Sequence, residues 1–332
     1  MVNVAINGFG RIGRQAFRAA WEKKTVKIVG INDLTDAKTL AHLLRYDTAY
    51  GTWQKDISYD DTNLIIEGKK IPVSAEKDPS LLPWKKLKVA VVLECTGRFT
   101  SQDGAELHLK AGAKKVIISA PAKGGVVPTY VLAVNSAAVG KEESAVINNA
   151  SCTTNCIAPV MSVLEETFGI DKAMMTTVHG YTADQNLQDG PHKDLRRARA
   201  AAENIVPTTT GAAIAVTEAI PELQGKFDGL AIRVPVPSVS LSDITAVLLE
   251  DVTIEEVNKA FTKAAKSARF KGVLTVTTEP LVSSDFIGNT HSTIVDLSLT
   301  NVVGGSLVKV VAWYDNETGY ATRLVEMAEQ FA

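Results

Sequence analysis

The feature that most constrains this chain is the stretch Asn7-Gly8-Phe9-Gly10-Arg11-Ile12-Gly13. It contains G-x-G-x-x-G, follows an apolar run at 2–6, and opens a segment in which Ile12, Ala16, Ala19 and Ala20 recur with helical spacing. In that setting each glycine has its own task. Gly8 permits a tight turn, Gly10 lets backbone approach a pyrophosphate, and Gly13 lets helix and strand pack closely. The helix start adds N–H groups and the positive end of a dipole. Asp33 closes the next apolar run, at 26–31, twenty residues after Gly13. A carboxylate there can bond both hydroxyls of an adenosine ribose and repels a 2′-phosphate. The pattern predicts a dinucleotide-binding unit of the Rossmann type that takes NAD in preference to NADP.

Strand and helix signals alternate through the first 150 residues, with strands at 2–6, 26–31, 89–93, 115–118 and 144–147 and helices at 11–21, 39–44 and 102–110. Such alternation predicts a parallel sheet covered on both faces. The style changes near residue 150. A helix is expected at 153–168, then longer strand-like runs at 173–178, 229–234, 244–249, 293–299 and 307–313, the pattern of a mixed or antiparallel sheet. A polar, Arg-rich stretch fills 181–207, and a helix is expected at 318–331. The fold class read from this order is α/β: an N-terminal Rossmann domain at 1–150, then an α+β catalytic domain at 151–315.

Composition narrows the function. The chain has 332 residues, with 35 Lys and Arg against 37 Asp and Glu, a net charge of −2. Without a basic excess no nucleic-acid partner is expected. No apolar run is long enough to span a bilayer, so no membrane partner is expected either. The start of the chain lacks the pattern of a secretory signal. Three cysteines are too few for a disulfide framework, which points to a reducing, cytoplasmic setting. Cys152 and Cys156 have no third or fourth ligand beside them, so no metal is expected.

Cys152 stands out among the three. It lies in Asn149-Ala150-Ser151-Cys152-Thr153-Thr154-Asn155-Cys156 at an expected helix start, where the dipole lowers a thiol's pKa. Cys95, at the end of an apolar run, reads as a small buried thiol. His179 ends a strand-like run beside a loop and could serve as the base for Cys152. From spacing alone a core or surface role fits it as well. Ser151-Cys152-Thr153 and Thr208-Thr209-Thr210-Gly211 are hydroxyl-rich helix starts suited to phosphate. Arg196, Arg197, Arg199 and Arg233 supply cations near loops or strand ends, with Arg199 read as a surface ion pair. Two such helix starts with arginines would suit a doubly phosphorylated ligand.

Taken together, the stretches at 3–14, 146–159, 177–185, 191–201, 207–213, 233–235 and 313–320 resemble glyceraldehyde-3-phosphate dehydrogenase, in order and over essentially the whole chain. The resemblance implies an NAD-dependent, phosphorylating enzyme of the bacterial type. Its substrates would be D-glyceraldehyde 3-phosphate and inorganic phosphate and its product 1,3-bisphosphoglycerate. It implies a homotetramer in which 181–207 is the S-loop near a neighbour's NAD site, and a C-terminal helix at 316–332 packing on the Rossmann domain. By position, Cys152 matches the nucleophile and His179 the base. Gly8, Gly10, Arg11, Ile12, Gly13, Asp33, Lys77, Thr96, Gly97, Phe99, Ser119, Asn316 and Tyr320 match the cofactor contacts. Thr182, Arg196 or Arg197, and Arg233 match the substrate-phosphate side, and Ser151, Thr153, Thr210 and Gly211 the inorganic-phosphate side. Lys77 stands where the family commonly has Arg, and as a point charge it cannot fork or stack as Arg does. The related alternative is erythrose-4-phosphate dehydrogenase. Asn32-Asp33, in place of its usual Asn-Glu, and Thr210-Gly211-Ala212-Ala213 both favour the first reading.

Overall fold

In a computed structural model, residues 1–139 and 144–332 are described; residues 140–143, inside the expected cofactor domain, lie outside them. The chain divides into two compact units. One comprises Met1–Tyr130, Ala138–Ala150 and Ala321–Ala332, the other Val131–Ala137 and Ser151–Tyr320.

The first unit runs β1 (Val2–Asn7), α1 (Arg11–Trp21), β2 (Val26–Asn32), α2 (Ala37–Arg45), β3 (Tyr46–Asp47), β4 (Gly51–Thr52), β5 (Ile57–Asp60), β6 (Asn63–Ile66), β7 (Lys69–Ser74), β8 (Val91–Glu94), α3 (Gln102–Lys110), β9 (Lys115–Ile118) and β10 (Val146–Asn148). Its sheet has the order β10-β9-β8-β1-β2-β7-β6-β5. The strands from β10 to β7 are parallel, and their apolar runs are buried, as a sheet between helices requires. One expectation is corrected here. The sheet is not wholly parallel, because β5, β6 and β7 form an antiparallel meander at one edge. The β6–β7 turn is Glu67-Gly68 with φ of 48° and 78°, the left-handed pair that a two-residue hairpin demands. Chain order reverses at β1, which has β2 on one side and β8 on the other. That is the switch point where such sheets open a crevice at their carboxyl ends.

The second unit contains α4 (Cys152–Phe168), β11 (Ile170–Gly180), β12 (Val206–Thr208), α5 (Ala212–Ala219), β13 (Phe227–Val234), β14 (Ser240–Leu248), α6 (Ile254–Ala265), β15 (Leu274–Thr277), β16 (Thr293–Asp296), β17 (Asn301–Val303) and β18 (Leu307–Tyr314). α7 (Thr318–Phe331) follows, and its residues from Ala321 onward belong to the first unit. There Glu329 takes Lys23 at 2.9 Å, and the Phe331 ring lies 4.4 Å below the Lys115 ammonium. The sheet order is β12-β13-β11-β14-β18-β16-β15, with β17 on β18. β11 lies parallel to β13 and antiparallel to β14, so the sheet is mixed. β14 alternates strictly between buried and half-buried residues, one face under helices and the other not. The run expected as one strand at 293–299 stops at Asp296. The carboxylate accepts from Ser298 N–H at 3.2 Å and turns the chain into a short 3₁₀ turn.

Candidate active site

In the first unit, Asn7 ends β1 and Gly8 turns away at φ 91°. A methyl group on Gly8 would stand 2.7 Å from Thr96 N, and one on Gly13 would stand 2.1 Å from Gly8 O. These two glycines are dictated by backbone meeting backbone. Gly10 differs, since a Cβ there would meet nothing within 4 Å. It borders a cleft of about 770 Å³ that Asn7, Asp33, Lys77, Thr96 and Phe99 also line. The space left beside Gly10, at the start of α1, is what a pyrophosphate needs. The residues present therefore fit NAD.

Asp33 follows β2 directly and is held from below. Its Oδ2 accepts from Phe9 N–H at 2.7 Å and its Oδ1 from Thr35 N–H at 3.0 Å. Arg11 carries no side chain into this cleft. Its guanidinium bonds Asp47 at 2.7 Å and lies over the Tyr50 ring. A pyrophosphate contact at Arg11 and Ile12 would thus be made by backbone at the helix start. Ser119 follows β9 directly and donates its N–H to Glu94 O, and Gly97 has φ 69°. Cys95 also lines the cleft and is half-buried rather than fully buried; burial, and then Glu94, push its thiol up.

In the second unit, Ser151 caps α4 by accepting from Thr154 N–H at 3.1 Å, which places Cys152 in the first turn. Register does the rest. His179 on β11 pairs with Arg233 on β13 and with Ser240 on β14, and Ser240 pairs with Tyr314 on β18. Four polar side chains therefore lie in one row across four strands, on the face that α4 covers. His179 Nε2 stands 3.5 Å from Cys152 Sγ. Its Nδ1 lies 2.6 Å from Gly180 O and 2.7 Å from Arg233 Nη1. Gly180 O calls for a proton on Nδ1 and Arg233 Nη1, which can only donate, calls for none; the tautomer that donates Nδ1–H to Gly180 is the one that leaves Nε2 bare toward the thiol, as a base needs. Burial, and then Arg233, push His179 down to about 3, so the imidazole is neutral at pH 7.

The expectation of a depressed thiol is corrected. Burial raises the Cys152 thiol above its ordinary value and outweighs Arg233, the Thr153 hydroxyl and the helix-start N–H groups, all of which pull it down. Arg233 is the main counterweight. Its Nε is buried and meets no partner among the described residues, so the guanidinium has a donor to offer an anion.

Tyr314 and Ser240 were not singled out from the sequence. The Tyr314 hydroxyl joins Thr153 Oγ1 at 2.9 Å to Thr177 Oγ1 at 2.8 Å, and its ring stands edge-on to His179. Ser240 Oγ donates to Asn316 Oδ1 at 3.1 Å, fixing that amide with its NH2 opposite. The only available signal was the period-two burial of β14 and β18. Tyr320 is buried in α7. Thr210 receives Ala212 N–H at 3.2 Å beside Gly211, the N-cap of α5. The arginines part company: Arg197 binds Asp184, Thr208 Oγ1 at 2.9 Å and Thr209 O at 3.1 Å, whereas Arg196 reaches only Pro207 O, at 3.5 Å. Arg197 and Asp184 are also felt electrostatically by Arg233. Thr182 N–H reaches Gln185 Oε1 at 3.4 Å. Arg199 pairs with Asp189 at 2.7 Å on the surface.

A dinucleotide cleft in one unit and a thiol facing a neutral imidazole in the other suit the class of NAD-dependent dehydrogenases. Comparison with known proteins sharpens this class. Residues 2–102 match the family model for the glyceraldehyde 3-phosphate dehydrogenase NAD binding domain, and 151–316 match that for its C-terminal domain. The chain is 55% identical over 331 residues to glyceraldehyde-3-phosphate dehydrogenase of Geobacillus stearothermophilus, covering 100% of this chain and 98% of that one. It is 54% identical to glyceraldehyde-3-phosphate dehydrogenase 1 of Bacillus subtilis (strain 168), over 100% and 98% of the two chains. It is 51% identical to the enzyme of Borreliella burgdorferi, over 99% of each. The chain belongs to the glyceraldehyde-3-phosphate dehydrogenase family.

Proposed function

We propose that this chain oxidises D-glyceraldehyde 3-phosphate with NAD and inorganic phosphate to 1,3-bisphosphoglycerate, the reaction of glycolysis and gluconeogenesis, with the following roles. Cys152 gives its proton to His179 Nε2 and adds to the aldehyde carbon as a thiolate, and His179 returns the proton to the aldehyde oxygen, forming a thiohemiacetal. His179, neutral again, takes the proton of that hydroxyl as the hydride leaves. NAD, when bound, supplies the acceptor for the hydride lost from the same carbon. The resulting thioester on Cys152 is cleaved by inorganic phosphate, which frees the thiol. The observation that carries this reading is the 3.5 Å contact of Cys152 Sγ with the neutral His179 Nε2.

Arg233 and Thr182 bind substrate phosphate, and Arg197 joins them because it lies within electrostatic reach of Arg233 while Arg196 points to Pro207. Ser151, Thr153, Thr210 and Gly211 take the attacking phosphate. Gly8, Gly10, Gly13, Arg11 and Ile12 hold the pyrophosphate through backbone, Asp33 the ribose and Lys77 the adenine side. Thr96, Gly97, Phe99 and Ser119 line the cofactor's path, and Asn316 and Tyr320 hold the nicotinamide end.

The assembly is a homotetramer. The uncovered sheet face supports this, since Met174 and Leu230 expose 67% and 44% of their surface in a shallow depression of about 1230 Å³ bordered by Ile214. No helix among the described residues is long and apolar enough to cross a membrane, and three free cysteines suit the cytoplasm. The test is NADH production from glyceraldehyde 3-phosphate with and without phosphate. Without phosphate or arsenate a burst of one NADH per chain and then a slow drip is expected. With either, turnover should be continuous. Steady NADH formation at full rate with no acceptor would reject the thioester. Faster turnover of erythrose 4-phosphate would move the assignment to the related enzyme.

A further inference from the structure

The mechanism leaves one buried acid unused. Glu94 ends β8 with 1% of its surface exposed, beneath the cofactor cleft and not lining it. Its Oε1 accepts from both the N–H, at 2.8 Å, and the hydroxyl of Thr96. Its Oε2 accepts from Asn7 Nδ2 at 2.5 Å and faces His108 Nε2 at 3.0 Å. The tautomer of His108 is fixed from the other side. Trp84 Nε1–H, which can only donate, reaches His108 Nδ1 at 3.0 Å, so Nε2 carries the ring proton and donates to Glu94. Four donors thus converge on one carboxylate, and every one of its near partners is a donor.

The arrangement continues outward with a direction. Asn7 spends its NH2 on Glu94, so its Oδ1 is free to accept from Asn32 Nδ2 at 2.7 Å. Asn32 also donates to Glu76 O at 2.9 Å and accepts from Glu76 N–H at 2.9 Å. Asn7, Asn32, Glu76 and Thr96 all line the cleft. They stand at the carboxyl ends of β1, β2, β7 and β8, where sequence separations of 25 to 87 residues rule out any local cause for their alignment.

We propose that Glu94 is a positioning residue for the cofactor: its carboxylate is the acceptor that sets the polarity of a hydrogen-bond relay, Trp84–His108–Glu94–Asn7–Asn32–Glu76, and that polarity fixes the amide orientations forming the floor of the dinucleotide cleft. The reason lies in what a same-shaped neutral group would do. In Glu94→Gln the amide NH2 must face either Thr96 N–H or the Asn7 and His108 donors. Thr96 N–H cannot turn. If Asn7 flips to receive the amide, it turns its own NH2 against Asn32, which must then flip and surrender both bonds to Glu76. One misplaced proton donor travels through side chains to the wall of the cleft, because buried polar groups must all be satisfied together.

The relay is tested by equilibrium titration of NAD into the intact chain, read by quenching of protein fluorescence well below the melting temperature. The titration of the parent reports on the cofactor reading itself; the variant-to-parent ratio reports on the relay. Glu94→Gln is expected to bind NAD about tenfold more weakly or worse, as an unsatisfied buried donor implies. The KM for NAD should rise by a similar factor and kcat should change far less. Trp84→Phe keeps the ring, the carboxylate and the direction of the relay, and it should stay within about twofold of the parent. Alkylation of Cys152 should proceed at the parental rate in both. If Glu94→Gln fails to fold, Asn32→Asp breaks the same relay at its other end by setting an acceptor against Asn7 Oδ1, and the same loss is expected. Parental NAD affinity in the folded Glu94→Gln or Asn32→Asp chain overturns the proposal. So does an equal loss in Trp84→Phe, which would show that packing rather than polarity matters.

Discussion

The two halves of the chemistry are built on opposite plans. The cofactor cleft is lined from four chain segments, but its phosphate end is a single turn of residues adjacent in sequence whose shape is set by backbone. Gly8 and Gly13 are fixed by contacts of 2.7 Å and 2.1 Å that a methyl group would have to make, while Gly10 is left bare beside open space. The reaction site rests on side chains drawn from five elements. Cys152 comes from a helix start, and Arg233, His179, Ser240 and Tyr314 come from four strands aligned by register. A local motif tolerates change around it but not within it. A register-built row depends on every strand that carries it, since a slip of one residue turns each of its side chains to the other face.

This contrast is broken most sharply by removing the nucleophile. Cys152→Ser should lose at least a hundredfold of the dehydrogenase rate in a standard NADH assay, because a hydroxyl is not ionised near neutral pH and the barrier rises by several kcal/mol. Retained turnover above about a hundredth of the parent would mean that the row is not the reaction site. His179→Asn should cost roughly 10²–10⁴-fold in kcat, the usual worth of a general base. A near-normal kcat would reduce His179 to packing.

Arg233→Leu comes next, with a loss of roughly ten- to a hundred-fold in kcat/KM for glyceraldehyde 3-phosphate, as charge-assisted phosphate contacts imply. Unphosphorylated glyceraldehyde should lose less; equal losses would assign the phosphate clamp to Arg197. The same variant carries a pH signature. Arg233 is the main influence pulling the half-buried Cys152 thiol down, so its removal should move the alkylation-rate profile of Cys152 to higher pH. An unmoved profile would show that the cation does not reach the thiol.

On the cofactor side, Gly10→Ala has room to fold, and its methyl group would occupy space beside the helix start. A melting temperature near the parent's with NAD binding weaker by about tenfold is expected. The smallest effect concerns choice rather than strength. Asp33→Gly removes the ribose acceptor and the repulsion of a 2′-phosphate, so the ratio of kcat/KM for NAD over NADP should fall. An unchanged ratio would place discrimination in residues other than Asp33.

The two plans also explain what the sequence disclosed. The glycine turn, Asp33 and the helix start at Cys152 are short-range patterns, and each stands where spacing puts it. The β5–β7 meander escaped because β5 and β6 are only four residues each, too short for a clear period, although Glu67-Gly68 marked the turn after them. Arg11 was legible as a helix-start residue but not as the partner of Asp47, which lies 36 positions away. The raised thiol of Cys152 was not legible either, since the dipole is local and burial is made by the whole unit. Tyr314 and Ser240 became visible only when β14 and β18 were set in register with β11.

The division is one of place: cofactor binding belongs to the cleft of the first unit and bond-making to the cross-strand row of the second. Its most direct test is an equilibrium titration of NAD into the Cys152→Ser chain. The expected dissociation constant lies within about twofold of the parent's, in a chain that no longer makes NADH. A tenfold weaker constant, with the melting temperature unchanged, would show that the nucleophile helps to hold the cofactor and would contradict the division.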